Sequence, residues 1–548
     1  MTRVRCVLRK AWYRVMAAIV GYTGYVGSNL LQFYEFDYLY NSKNFEQARN
    51  KSFKTLYFAG LPAEKWKANL NPDKDAQTLR NIQSILDTIE VERFVLISTI
   101  DVYTNTNSQD DEQCAIDHTG NHTYGKNRRL FELYIQKRFK RHHIVRLPAL
   151  FGKGLKKNLI YDLLNGNCID KINKQNWFQW YSLDWLQNDL DIVMRHNLPI
   201  CNLFTEPISS NTVVEIYEET YRKRHPYPDD TNMIQVKYNL KSAHASYFNG
   251  KGGFIRDADA IKSSIRDFLE FEKIDKSQLS VSNICINKVS SVQFATILKL
   301  HGIDKVQVAP TKLIKDWNKI DELDLSENFK ELKVRSLQSV CYGLNELNIF
   351  SPVTRPLLFL HLQKVIDFAE RNAIDYIVFG CPRNRRVPPH MEHSEATSVF
   401  VNFFRDVGHY LNGKNVKVCI ENNSKDYNCN YLNSINETAA AVEEIGHPGI
   451  KLMIDVGNAM MECDDVSNVL SHQDIIHNFD IANPFMKPIT TIDDRHISFR
   501  NILQNVPETA VNLEMLPSDN DNELSTLVQS LANFVRTYGR LTPSYPEA

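Results

Sequence analysis

Ala18-Ile19-Val20-Gly21-Tyr22-Thr23-Gly24-Tyr25-Val26-Gly27-Ser28-Asn29-Leu30-Leu31 is an apolar run that passes straight into three glycines spaced three apart and then into a helix-forming stretch. Small residues at that spacing allow a tight turn, a close approach of backbone to a pyrophosphate, and close packing of helix on strand. Amide groups in the first turn of the new helix would face the phosphates. Gly21, Thr23, Gly24, Tyr25, Val26 and Gly27 are therefore candidate dinucleotide contacts. A glycine triplet alone is a weak signal, and the elements after it supply the context.

Phe36 to Tyr40 predicts a second strand, which ends in Asn41-Ser42-Lys43. A carboxylate at that position would hydrogen-bond the ribose of NAD, whereas a neutral or basic residue leaves room for the 2′-phosphate of NADP. Both cofactors stay open; Asn41 and Lys43 tilt the choice to NADP, with Lys43 or Arg49 as phosphate partner. A third strand over Thr55–Gly60 ends in the small residues Ala59-Gly60, also candidate cofactor contacts. A fourth, Arg93 to Thr99, leads to Asp101-Val102-Tyr103, and His122 to Glu132 reads as a helix opening.

The glycine turn, Ser98-Thr99 ahead of Val102-Tyr103, and Tyr124-Gly125 opening a helix together resemble the extended short-chain dehydrogenase/reductases, the NAD(P)-dependent epimerase/dehydratase family acting on sugar nucleotides. The resemblance implies a Rossmann-type doubly wound parallel sheet. It also implies that Thr99 holds a substrate oxygen while Tyr124 gives or takes its proton. A free tyrosine has a pKa of about 10, so that role needs a nearby cation. The family motif is Tyr-x-x-x-Lys, and here the fourth position is Arg128, which keeps the charge but has a planar fork and a different reach. Two outcomes are open: Arg128 replaces the lysine in a working site, or this half binds nucleotide without turnover. Arg146 and Asn158, on the path into the family's substrate lobe, are implied substrate contacts. Trp177-Phe178-Gln179-Trp180-Tyr181 reads either as a ring-stacking surface or as buried packing.

With 548 residues the chain exceeds one ordinary domain. A net charge of -1 offers no field for nucleic acid or an anionic membrane, and no apolar run is long enough to cross a bilayer. Ten cysteines are scattered without a CxxC pair, which fits a reducing compartment, the cytoplasm. Arg3, Arg5, Arg9, Lys10 and Arg14 mark residues 1–15 as a flexible leader, with Met16 an alternative start. A polar, turn-rich stretch ending near residue 276 separates a first domain, 16–275, from a second, 276–548.

From Val281 short apolar strands alternate with amphipathic helices. Candidate strands are Asn283–Ile286, Lys305–Ala309, Val334–Val340, Tyr376–Gly380, Lys417–Glu421, Lys451–Val456, Ile475–Ala482 and Val511–Met515, the count of a (β/α)8 TIM barrel. Four successive strand ends carry the acids Glu421, Asp455, Asp480 and Glu514. Like charges crowded in a barrel mouth repel, so a divalent cation is the natural counter-ion, and an all-oxygen set suits Mn2+ or Mg2+ over Zn2+.

This half resembles the sugar phosphate isomerase/epimerase family with a xylose-isomerase-like barrel, in which Glu, Asp, His and Glu hold one metal. Glu421, Asp455 and Glu514 match that set, and Asp480 stands where the family has histidine. Val378 to Arg385 and His496 are further matches, and Arg385 and His496 are implied contacts of a substrate phosphate or hydroxyl. The implied chemistry is isomerisation or epimerisation beside a carbonyl, with Glu421 and Glu514 moving the proton on opposite faces. Taken together the chain is expected to be a bifunctional carbohydrate-modifying enzyme for activated-sugar or glycan supply. Its partners would be a nucleotide sugar and a sugar or sugar phosphate, with a homodimer left open. Two further readings stay open: a nucleotide-binding scaffold attached to an isomerase barrel, and a barrel phosphodiesterase of the abasic-endonuclease type.

Overall fold

The computed structural model describes residues 16–229, 233–506, 508–518 and 522–541. The leader expected over 1–15 lies outside them. The chain divides into two compact units, one running to Glu270 and the other spanning Phe271–Pro543.

The first unit is built on a six-stranded parallel sheet. Its strands are β1 (Ala17–Val20), β2 (Tyr38–Tyr40), β3 (Ser52–Phe58), β4 (Glu90–Thr99), β5 (His142–Leu147) and β6 (Ile200–Asn202), in the order β2-β1-β3-β4-β5-β6. Reversal of direction at β1 is the doubly wound pattern, in which ligands bind outside the carboxyl ends of the strands at the switch point. Apolar clusters cover both faces: Ala18, Val20, Leu56, Phe58, Phe94 and Leu96 on one, Ile19, Tyr57, Val95, Ile97 and Val145 on the other. Burial on both faces is why these strands read as near-continuous apolar runs.

The glycine turn is sterically enforced. Gly21 has φ +92°, and a Cβ there would stand 2.5 Å from the Ala59 carbonyl oxygen; at Gly27 a Cβ would stand 2.0 Å from the Gly21 carbonyl oxygen. Beside the main sheet, Ala149–Phe151, Trp177–Ser182 and Pro207–Ser209 form a three-stranded sheet. Trp180 and Tyr181 are fully buried in it, so most of the aromatic run is packing.

The second unit is a closed barrel of eight parallel strands: β7 (Leu279–Ser282), β8 (Lys305–Val308), β9 (Lys333–Leu337), β10 (Tyr376–Phe379), β11 (Lys417–Glu421), β12 (Ile450–Asp455), β13 (Ile476–Ile481) and β14 (Ala510–Leu513). The first strand departs from the expectation of Asn283–Ile286. The Ser282 hydroxyl accepts a hydrogen bond from the Ile284 amide and starts a 3-10 turn over Asn283–Cys285, so the strand lies four residues earlier. Ser280 and Ser282 are fully buried despite their polarity. The Ser280 hydroxyl donates to Asn512 Oδ1, whose Nδ2 donates to Gln307 Oε1, which satisfies the interior polar groups in pairs.

Helices such as Arg355–Arg371, His393–Leu411, Ile435–Ile445 and Glu523–Tyr538 pack apolar faces on the outside of the barrel in one continuous core. Among the described residues no helix is long and apolar enough to cross a membrane.

Candidate functional site

At the carboxyl ends of β1–β3 a cavity of about 400 Å3 is lined by Gly21, Thr23, Gly24, Asn41, Ser42, Glu46, Ala59 and Gly60, among others. Of the expected cofactor contacts, Gly21, Thr23, Gly24, Asn41, Ala59 and Gly60 face it, whereas Tyr25, Val26, Gly27 and Lys43 do not. Tyr25 and Val26 pack against the apolar core, and Gly27 lets the helix sit on the turn. Neither cation expected to hold a 2′-phosphate lines the cavity. Arg49 pairs with Glu46 and donates to the Ser84 carbonyl. Gly27→Ala forces backbone atoms apart, and we expect it to weaken dinucleotide binding by roughly tenfold or more, read by fluorescence titration with NADH.

β4 ends at Thr99, whose hydroxyl accepts the Asp101 amide, and the helix Thr123–Arg138 begins with His122 Nδ1 accepting the Gly125 amide. Those two devices set the Thr99 hydroxyl and the Tyr124 phenol near enough to interact. Burial holds the phenol above its ordinary value, and Arg128 and Thr99 offset only part of that.

The Arg128 carbon sits 4.4 Å from the Tyr124 ring centre, yet its fork is committed elsewhere: Nη1 and Nη2 donate to the two Asp75 oxygens at 2.8 and 3.0 Å, and Nη2 also donates to the Pro62 carbonyl. The cation expected to activate Tyr124 is thus shared with a buried carboxylate, and it still lowers the phenol's proton affinity in part. Asp101 is a neighbour that the motif did not reveal; it pairs with Lys65 at 2.8 Å and accepts the Tyr238 hydroxyl.

Arg146 and Asn158, the implied substrate contacts, are both engaged within the protein. Arg146 is fully buried, with Nε and Nη2 donating to the two Glu132 oxygens and Nη1 to the Tyr103 hydroxyl. Asn158 caps the helix Leu159–Asn165, accepting the Ile160 and Tyr161 amides while donating to the Leu150 carbonyl.

In the barrel, Glu421, Asp455 and Glu514 line one cavity of about 510 Å3 together with Gln338, Cys381, Arg383, Asn423 and Asn458. Burial, reinforced by Asp455 and Asp480, raises the Glu421 carboxyl well above the carboxylate range. Burial, reinforced by Asp480, Glu421 and Asp455, does the same to Glu514. Desolvation likewise takes Asp455 and Asp480 up to about 7.

Gly380, at the end of β10, makes room for the Glu421 carboxylate: a Cβ there would lie 2.1 Å from Oε2. Because that atom ends a flexible side chain, Gly380→Ala is expected to leave the melting temperature near that of the parent while displacing Glu421. The readout is a fall of roughly tenfold in whatever turnover this cavity supports, the scale set by misplacing a reacting group.

Residues 295–503 match the family model of the xylose isomerase-like TIM barrel. No curated protein matches the chain. Among solved structures, D-psicose 3-epimerase from Clostridium cellulolyticum H10 is similar at 12% identity and a TM-score of 0.41, covering 48% of this chain and 99% of that one. UDP-N-acetylglucosamine 4-epimerase from Methanobrevibacter ruminantium M1 is similar at 12% identity and a TM-score of 0.39, covering 46% of this chain and 97% of that one. UDP-glucose 4-epimerase from Thermotoga maritima is similar at 12% identity and a TM-score of 0.37, covering 47% of this chain and 98% of that one.

Among the described residues the barrel does not present its four acids as a metal centre. Their hard oxygens suit Mn2+ or Mg2+, but among the described residues no group of three or more His, Cys, Asp or Glu is placed to hold an ion. Each of three acids is instead held by local amides. Gln307 Nε2 and Asn478 Nδ2 donate to the two Asp480 oxygens, and Asp480 does not line the cavity. Glu421 Oε1 accepts from Asn423 and Asn458, and Asp455 Oδ1 accepts the Asn458 amide as the cap of Val456–Met461.

The two expected substrate contacts of the barrel are also engaged internally. Arg385 Nη1 donates to the Glu421 carbonyl at 2.6 Å, which fixes the backbone that carries that acid. His496 sits between the Tyr538 hydroxyl and Asn483 Oδ1, fully buried.

Proposed function

We propose that the barrel isomerises or epimerises a sugar at the carbon beside its carbonyl, and that the first unit binds a nicotinamide dinucleotide and acts on a nucleotide sugar. One observation carries the barrel reading: Glu421 and Glu514, on strands three places apart round the closed barrel, line the same cavity and both have raised proton affinity. Carboxyl groups in that condition can exchange protons with carbon near neutral pH. One takes the proton from the C–H next to the carbonyl, and the electron pair moves to the carbonyl oxygen as an enediolate. The other returns a proton to carbon from its own side, so no net oxidation occurs. Gln338 lines the same cavity as an amide beside the developing oxyanion, while Asn423 and Asn458 spend their amide donors on Glu421 Oε1 and the Asn422 carbonyl and so orient that acid. The test is turnover of a panel of ketoses and aldoses by the full chain; product on none of them removes the reading.

For the first unit, Asn41, Ser42 and Glu46 offer hydrogen bonds to ribose hydroxyls with no lining cation, which supports NAD over NADP. The Asp75–Arg128 pair favours a second reading, a unit that holds nucleotide without hydride transfer. Fluorescence titration with NADH is expected to show binding to the full chain. If the wild type then turns over any of a panel of nucleotide sugars, Tyr124→Phe is expected to lower that rate at least about a hundredfold, the scale of a lost general acid. Binding without turnover by the wild type selects the second reading.

A further inference from the structure

We propose that the barrel's substrate carries an anionic group, a phosphate ester or a carboxylate, and that Arg383 and Arg386 hold it. The inference rests on the sugar-converting reading above and names the substrate class. Pro382-Arg383-Asn384-Arg385-Arg386 follows β10 at the barrel mouth and carries three arginines, of which only Arg385 is buried. Arg383 and Arg386 are exposed, and no described residue pairs with either guanidinium or accepts a hydrogen bond from it.

Their backbone, by contrast, is pinned. Asn348 Nδ2 donates to both of their carbonyls, at 3.2 and 3.1 Å. Asn384, buried between them, donates to the Leu344 and Leu347 carbonyls, both at 2.7 Å. The two charges are therefore displayed from a fixed turn.

Arg383 lines the acid cavity and also an adjoining cavity of about 640 Å3, which Arg386, Asn348, His393 and Asn430 line as well. A molecule with its reacting carbons beside Glu421 and Glu514 can thus extend past Arg383 toward Arg386. The guanidinium fork matches phosphate and carboxylate oxygens in pairs.

The test is isothermal titration of the full chain with a ketohexose, its terminal phosphate ester and the corresponding uronate. At least one anion is expected to bind roughly tenfold or more tightly than the neutral parent, with the preference reduced by added salt. In Arg383→Ala/Arg386→Ala the ratio of anion to parent affinity should collapse toward one, whereas Arg383→Lys/Arg386→Lys, which keeps the charge without the fork, should retain part of it. Whichever anion shows the preference identifies the group. Equal affinity for parent and both anions, or an unchanged ratio in the alanine variant, overturns the inference. Neutral ketose turned over with no anion preference would leave the sugar-converting reading intact; arginine-dependent anion binding without turnover of any sugar would do the reverse.

Discussion

Glu421→Gln and Glu514→Gln are each expected to cut carbon-proton exchange by the barrel by roughly a hundred- to ten-thousandfold, the range for loss of a general acid or base. Glutamine keeps the shape and removes the proton acceptor. The same Glu514→Gln variant should gain stability relative to the wild type as pH rises, and this separates a lost reacting group from a damaged fold. The sign follows from linkage. A carboxyl whose folded pKa is raised binds more protons in the native state, so stability falls as pH climbs from the ordinary range of about 4 toward the elevated value. Asp455 and Asp480, at about 7, mark where the buried cluster is losing protons. Melting temperatures at pH 5, 7 and 8 check this. A variant that melts well below the wild type at pH 8 would contradict the account of mutual repulsion.

Glu132→Ala is expected to destabilise the first unit by about 3–5 kcal/mol, the cost of stripping a buried ion pair of one partner. Glu132 is fully buried; it accepts from Ser98 Oγ, Arg146 Nε and Nη2, and Arg129 Nη1. Its removal leaves the Arg146 guanidinium, 1% exposed, without a counter-charge. Glu132→Leu/Arg146→Met, which replaces both charges by apolar groups, should recover much of the loss. Urea unfolding of the three proteins measures it. A loss below about 1 kcal/mol in the single variant, the level of an exposed pair, would show that this network does not hold β4, β5 and the helix Thr123–Arg138 together.

Both sheets were legible in the residues because burial on both faces leaves unbroken apolar runs: Lys417–Glu421 is bounded in the structure as the sequence suggests, and the glycine turn after β1 stands where its spacing placed it. β7 was not legible, because Ser280 and Ser282 point polar groups into the barrel and the more apolar Ile284–Ile286 segment stood out instead.

The site was legible in part for a related reason. Strand parity and strand ends locate acids, so Glu421, Asp455 and Glu514 could be placed on one cavity wall. Parity says nothing of what each polar group bonds to. Arg128, Arg146, Asn158, Arg385 and His496 share residue types with ligand contacts, but their partners are Asp75, Glu132, Ile160, the Glu421 carbonyl and Tyr538, distant in sequence except for Ile160 and Glu132. Asn423 and Asn458 carry a usable signal, each lying two or three residues beyond a strand-end acid, and Arg383 carries another, two residues before Arg385.

The most direct measurement is deuterium uptake. The full chain is incubated in D2O with ketoses and ketose phosphates, and label at the carbon beside the carbonyl is read by NMR. The account predicts incorporation by the wild type on at least one sugar, and its loss in Glu421→Gln and in Glu514→Gln. No incorporation on any sugar, or incorporation that survives both substitutions, would contradict it.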